Sequence, residues 1–140
     1  MSQISIPIPL DWTSIAQGTP YAPAAFAFVQ EGLGYTSGII ADREFDSFGL
    51  DELDKHVTGQ QLCMGLRDFA IDQFGLLAPV VLRHWGVQRT EDFGAIVFRM
   101  VELEALRTSP HDSEEDFRAI FQFDEAFHER ELADCIGSNQ

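Results

Sequence analysis

Residues 58–75, TGQQLCMGLRDFAIDQFG, constrain the fold more than any other stretch, because both ends of a helix are written into them. Thr58 and Gln61 stand at capping-box spacing, so each side chain can satisfy the other's backbone N–H where a helix start leaves donors unpartnered. Leu62, Leu66, Phe69 and Ala70 then recur on one stripe, and Gly75 supplies a stop. The next run, LLAPVVLRHWG, is almost wholly apolar; Pro79 is early enough for a first turn and Gly86 closes it, which predicts a short buried helix. After the turn GVQR, Thr90 caps a third helix over 90–106. It carries Glu91 and Asp92 at its positive end, with Phe93, Ile96, Val97, Met100 and Val101 at amphipathic spacing.

The string EDF opens that helix at Glu91 and recurs at Glu115, where the rhythm differs. Phe117, Ala119, Phe121 and Phe123 alternate with Arg118, Ile120 and Gln122, a period of two that predicts a strand with one buried face. The alternative is that Ser113 and Asp116 cap another helix. FDEAFHEREL follows as a closing helix capped by Asp124 and packed through Phe123, Ala126 and Phe127. Two helices joined by a turn, then an extended segment, a polar tip containing Pro110 and a returning strand, follow the order of a winged helix. The expected class is therefore mainly α with a small β-hairpin (α+β): a winged-helix-like helix-turn-helix core preceded by an extra N-terminal helix.

Upstream, Thr19 and Pro20 read as an N-cap with Pro at the first helical position, and Tyr21, Ala25, Phe28, Val29 and Gly32 share a face. Gly32 or Gly34 should end that helix. Residues 38–57 are acidic and aperiodic and read as a surface loop. The expected single domain thus has an arm at 1–18, a first helix at 19–36, the acidic loop at 38–57, the winged-helix-like core at 58–127 and a tail at 128–140.

Charge narrows the partners. Nine Lys+Arg against 23 Asp+Glu leave the chain at −14, which repels polyphosphates and anionic lipid. No leader-like segment and no span-length apolar run is present, so a cytoplasmic location is expected. Cys63 and Cys135 form no C-x-x-C pair and read as reduced thiols. HEREL lacks the second imidazole of a zinc-protease helix, with Leu132 in its place. Asp42, Glu44 and Asp46 resemble the start of a calcium loop, but Ser47 and Leu53 stand where its Gly and terminal Glu belong. Cys63 and His56 are two helical turns apart, too far for a nucleophile and its base. No cofactor, metal or catalytic residues are assigned.

HVTGQQLCMGLRDFAIDQFG, WGVQRTEDFGAIVFRMVE and SEEDFRAIFQFDEAF together resemble a small uncharacterised bacterial family found chiefly in Planctomycetes and Verrucomicrobia. The resemblance covers roughly 56–127, and it implies a lineage without implying an activity. A winged helix most often reads DNA through its second helix, yet here Arg89 and Arg99 are opposed by Glu91, Asp92, Glu102 and Glu104. The function expected is a non-enzymatic protein–protein interaction module, with self-association through the wing edge as a second form of the same reading; a winged-helix DNA-binding regulator and an enzyme with an unrecognised site are the alternatives. Trp12, Phe45, Phe48, Arg89 and Arg99 are the candidate contact residues.

Overall fold

The computed structural model describes residues 2–3, 11–48, 57–108 and 112–127, with the side chains of 2–3, 41–48 and 107 left outside the description. Its elements in chain order are β1 (Ser2–Gln3), α1 (Trp12–Ala16), α2 (Pro23–Phe48), α3 (Gly59–Phe74), α4 (Ala78–His84), α5 (Thr90–Glu102), β2 (Leu106–Arg107) and α6 (Phe123–Ala126). Short 3-10 turns at Gly75–Leu77 and Glu114–Phe117 join them. The class is mainly α. Among the described residues, β structure is confined to one antiparallel pairing, Ser2 with Arg107 and Gln3 with Leu106, which joins distant parts of the chain.

The expected β-hairpin and wing are therefore absent, and the winged-helix architecture is corrected with them. The reason lies at Ala119, whose φ of 49° puts it in the left-handed region and breaks the extended run that alternation suggested. Ser113 and Asp116 instead close a capping box on the 3-10 turn, with Ser113 N donating to Asp116 Oδ2 at 3.0 Å. Ile120 N then donates to Thr90 Oγ1 at 3.2 Å, a side-chain partner where a strand would have found a ladder. Thr90 is accordingly a buried acceptor for this segment, and the start of α5 is closed by Asp92: its Oδ2 accepts from Gln88 N at 2.8 Å and Arg89 N at 3.2 Å. The closing helix is a single turn whose N-cap is Gln122, with Asp124 inside it.

Helix α2 corrects two further expectations. It starts at Pro23, four residues after Thr19, and its backbone stays helical to Phe48 through Gly32, Gly34 and the first part of the supposed acidic loop. The Asp42 to Asp46 backbone is thus helical and unlike a calcium loop. Thr19 Oγ1 donates to Ala16 O at 2.7 Å and accepts from Tyr21 N at 3.3 Å, bridging α1 to α2. The N-terminal arm likewise contains a helix: Asp11 caps α1, accepting from Thr13 N at 3.1 Å and from Ser14 Oγ at 2.7 Å. The Ser14 hydroxyl bond, with the Ser14 amide after it, holds the Asp11 carboxyl below its ordinary value.

α3 has the predicted limits, with Thr58 Oγ1 accepting from Gln61 N at 3.1 Å and Gln61 Oε1 accepting from Thr58 N at 2.9 Å. It crosses α2 closely. A Cβ at Gly65 would collide with Thr36, and one at Gly32 with Leu66. α5 runs beside both helices, burying Phe93, Ile96, Val97 and Met100. It ends at Glu102, short of the expected 106, and a left-handed Glu104 (φ 62°) follows, where Glu104 N reaches Val101 O at 3.0 Å and Ala105 N reaches Met100 O at 2.8 Å. Tyr21 ties the start of α2 to α5 by donating its hydroxyl to Asp92 Oδ1 at 2.6 Å. Burial first, then that bond, raises the Tyr21 pKa. Because Asp92 serves three donors, Asp92→Ala is expected to lower unfolding free energy by about 2 kcal/mol in urea titration.

Candidate interaction surface

α4 has seven residues, and a helix that short can turn only one stripe toward a core. Ala78 and Leu82, four residues apart, take that stripe and are fully buried. The other apolar residues of the run have nowhere to go: Leu76, Leu77 and Val80 are 47%, 62% and 54% exposed. The expectation of a buried helix fails here for a physical reason. Residues 76–82 contain no polar residue and so carry no phase, which left open which of their apolar side chains face water. Two turns hold α4 in place. Gly75 (φ 56°) ends α3, and Gly86 (φ 94°) brings the chain so close to Pro20 that a Cβ would lie 2.6 Å from its carbonyl oxygen. Ala22 N donates to Trp85 O at 3.0 Å across the same junction.

Beside this face a cavity of about 610 Å³ opens between α4 and α6. Val87, Phe123 and Phe127 give it apolar walls, and Val87 and Phe127 are themselves buried. Phe123 is held by its neighbours, with ring centroids 5.2 Å from Phe127, 5.6 Å from Phe121 and 6.0 Å from Phe93. Pro79 and Arg83 line the α4 side, with Gln88 and Asp124 as the other polar members. Val80 and Arg83 are one helical turn apart, so the exposed patch and the cavity share an edge. Arg83 forms no ion pair among the described residues, unlike Arg67, which pairs with Asp68 at 2.9 Å, and Arg99, which reaches Glu102 at 3.4 Å.

The residues singled out from sequence fall elsewhere. Trp12 begins α1 and packs against the core. Arg99 is a structural tie: its guanidinium donates to Ile15 O at 3.1 Å and Gln17 O at 3.3 Å, satisfying carbonyls where α1 ends. Arg89 is exposed at the N-cap of α5. The Phe45 and Phe48 side chains lie outside the described residues, as do His56 and the HEREL segment. Trp12, Arg89 and Arg99 are absent from the lining of the cavity beside α4. Sequence reasoning missed Leu76, Leu77 and Val80; the available signal was an all-apolar run too short to bury itself.

Cys63 sits on α3 with its side chain in the core. Burial, with a smaller contribution from the Glu91 charge, pushes its thiol up to about 12 from an ordinary 9.0. A thiol so held is protonated at neutral pH and unreactive. The folded state disfavours the thiolate, so this contribution to stability is full below pH 9.0 and declines as pH rises toward about 12. Peptide mapping after iodoacetamide treatment at pH 8 is expected to show Cys63 alkylated at least about 100-fold more slowly in the native protein than in urea. Thermal melts should fall more steeply between pH 9 and 11 for the wild type than for Cys63→Ala.

Among the described residues, no group of three or more His, Cys, Asp or Glu side chains is arranged to hold a metal ion, and no helix is long and apolar enough to cross a membrane. No family model matches the chain, and no curated protein or solved structure matches it significantly.

Proposed function

We propose that this is a cytoplasmic, non-enzymatic protein–protein interaction module on a mainly helical scaffold, with the α4 corner as its contact face. The observation that carries the proposal is the clustering of Leu76, Leu77 and Val80 at the surface, next to an aromatic-walled cavity. Water-exposed aliphatic side chains grouped in this way are what a partner buries, and the surrounding polar rim then excludes solvent. The described wall residues are pinned by the aromatic cluster and by α4, so binding needs little ordering of the site itself.

A photo-crosslinking benzophenone side chain placed at position 77, and at exposed Glu114 as a control, tests the reading in cells of the source organism. Irradiation is expected to give a discrete protein adduct from position 77 and none from 114. Equal adduct patterns at the two positions, or none at either, would overturn it.

A further inference from the structure

The run that contains α4 is distinguished by charge as well as by its exposed apolar side chains. Residues 73–90 contain no Asp or Glu, although the chain carries 23 acidic residues, and they include Arg83, His84 and Arg89. All three of these are exposed. The apolar patch is therefore carried by a stretch of sequence with arginines and no carboxylate, in a protein whose net charge is −14. We propose that the α4 face binds an acidic amphipathic segment of a partner protein: its apolar residues cover Leu76, Leu77 and Val80 and enter the cavity, while a flanking carboxylate pairs with Arg83. This rests on the reading of α4 as a contact face and adds the chemistry of the partner.

Three features of the site select that chemistry. The cavity volume, about 610 Å³, is in the range that takes a large side chain or two, and Val87, Phe123 and Phe127 offer it an apolar lining. Arg83, unpaired among the described residues, presents a planar fork suited to a carboxylate at the rim. Asp124 lines the α6 side, so the anionic part of the segment is directed to the α4 side and away from α6. A helix laid in a groove places apolar anchors three and four residues apart with charges flanking them, which matches an apolar face edged by Arg83.

Charge also separates this occupant from two others. An extended anionic membrane, or a second copy carrying −14 of its own, would confront the acidic remainder of the protein. A short segment interacts mainly with the patch it covers, because charges beyond about 8 Å are screened at physiological salt.

The test uses the full chain and two fluorescein-labelled helical peptides, with Leu at i, i+3, i+4 and i+7 and either Glu or Lys on the flanks. By anisotropy, the Glu peptide is expected to bind with a Kd of about 50 µM or tighter and the Lys peptide at least about 10-fold more weakly. Arg83→Glu, at an exposed position, should reverse that preference while leaving the circular dichroism spectrum and Tm in place; Val80→Asp should remove binding of both peptides. Absence of Glu-peptide binding, no preference between peptides, or a preference untouched by Arg83→Glu overturns the proposal. So do sedimentation with phosphatidylglycerol vesicles in place of peptide binding, and concentration-dependent dimerisation that Arg83→Glu abolishes, since these reassign the face. A position-77 adduct without Glu-peptide binding would leave the contact face standing and remove only the acidic partner.

Discussion

Phe117→Ala is expected to lower the free energy of unfolding by about 3–5 kcal/mol, a large part of the stability of a domain this size. Phe117 is fully buried although it sits on a 3-10 turn of four residues. Two glycines make room for it. A Cβ at Gly94 of α5 would lie 2.9 Å from Phe117 Cγ, and one at Gly59 of α3 would lie 3.1 Å from Phe117 Cε2 and 2.6 Å from Asp116 Cβ. The ring thus plugs a slot formed by the first turns of two helices, and Phe98 meets it edge-on with centroids 6.3 Å apart. Truncation removes the apolar contact and leaves a cavity that two anchored helices cannot close. Urea titration measures the loss, and Phe117→Leu should recover about half of it. A loss below about 1 kcal/mol would mean that the turn is not seated between the helices. Gly94→Ala, destabilising in the wild type, should cost less in the Phe117→Ala background, because Cγ and Cδ2, two of the three atoms it meets, are gone and only Cβ at 3.0 Å remains.

Gly65→Val is expected to cost at least about 3 kcal/mol, and Gly65→Ala about 2 kcal/mol even though alanine favours a helix by about 1 kcal/mol over glycine. The sign is decided by Thr36. A Cβ at Gly65 would overlap its side chain, and Thr36 is buried with its hydroxyl donating to Gly32 O at 2.8 Å, so it has a bond to lose by moving. On the other side of the same crossing, Gly32 receives Leu66. Two long helices therefore approach through reciprocal glycines, and widening that approach disturbs every contact along it. Equilibrium unfolding in urea checks the values. Exposed Leu77→Gln provides the contrast, with a change within about 0.5 kcal/mol. An alanine variant more stable than the wild type would show that α2 and α3 do not meet so closely.

These two sites also show what could be read in advance. The limits of α3 were legible because a capping box is local chemistry: Thr58 and Gln61 satisfy each other's amides whatever lies around them. The face of α5 was legible because Phe93, Ile96, Val97 and Met100 repeat at the helical period and all are buried. Gly32 was not legible. Glycine inside a helix and glycine at its end are the same letter, and only the arrival of Leu66 from α3 distinguishes them. The alternation after Phe117 misled for a related reason: the chain turns at a left-handed Ala119, which is exposed, and Ile120, expected to face outward, packs against the core beside Phe121 and Phe123. At the candidate site, the apolar content of α4 was visible, but its outward half was not.

The two EDF strings mark the division. Local sequence determined that the first begins an amphipathic helix and that Ser113 and Asp116 could close a turn around the second, since caps and periodicity act over a few residues. Tertiary structure alone decided that the second string's Phe117 fills the space left by Gly94, the residue after the first, and that Leu76, Leu77 and Val80 face outward. Both outcomes depend on which surfaces meet across the chain, and that is settled by the packing of whole helices, which no short window of residues contains.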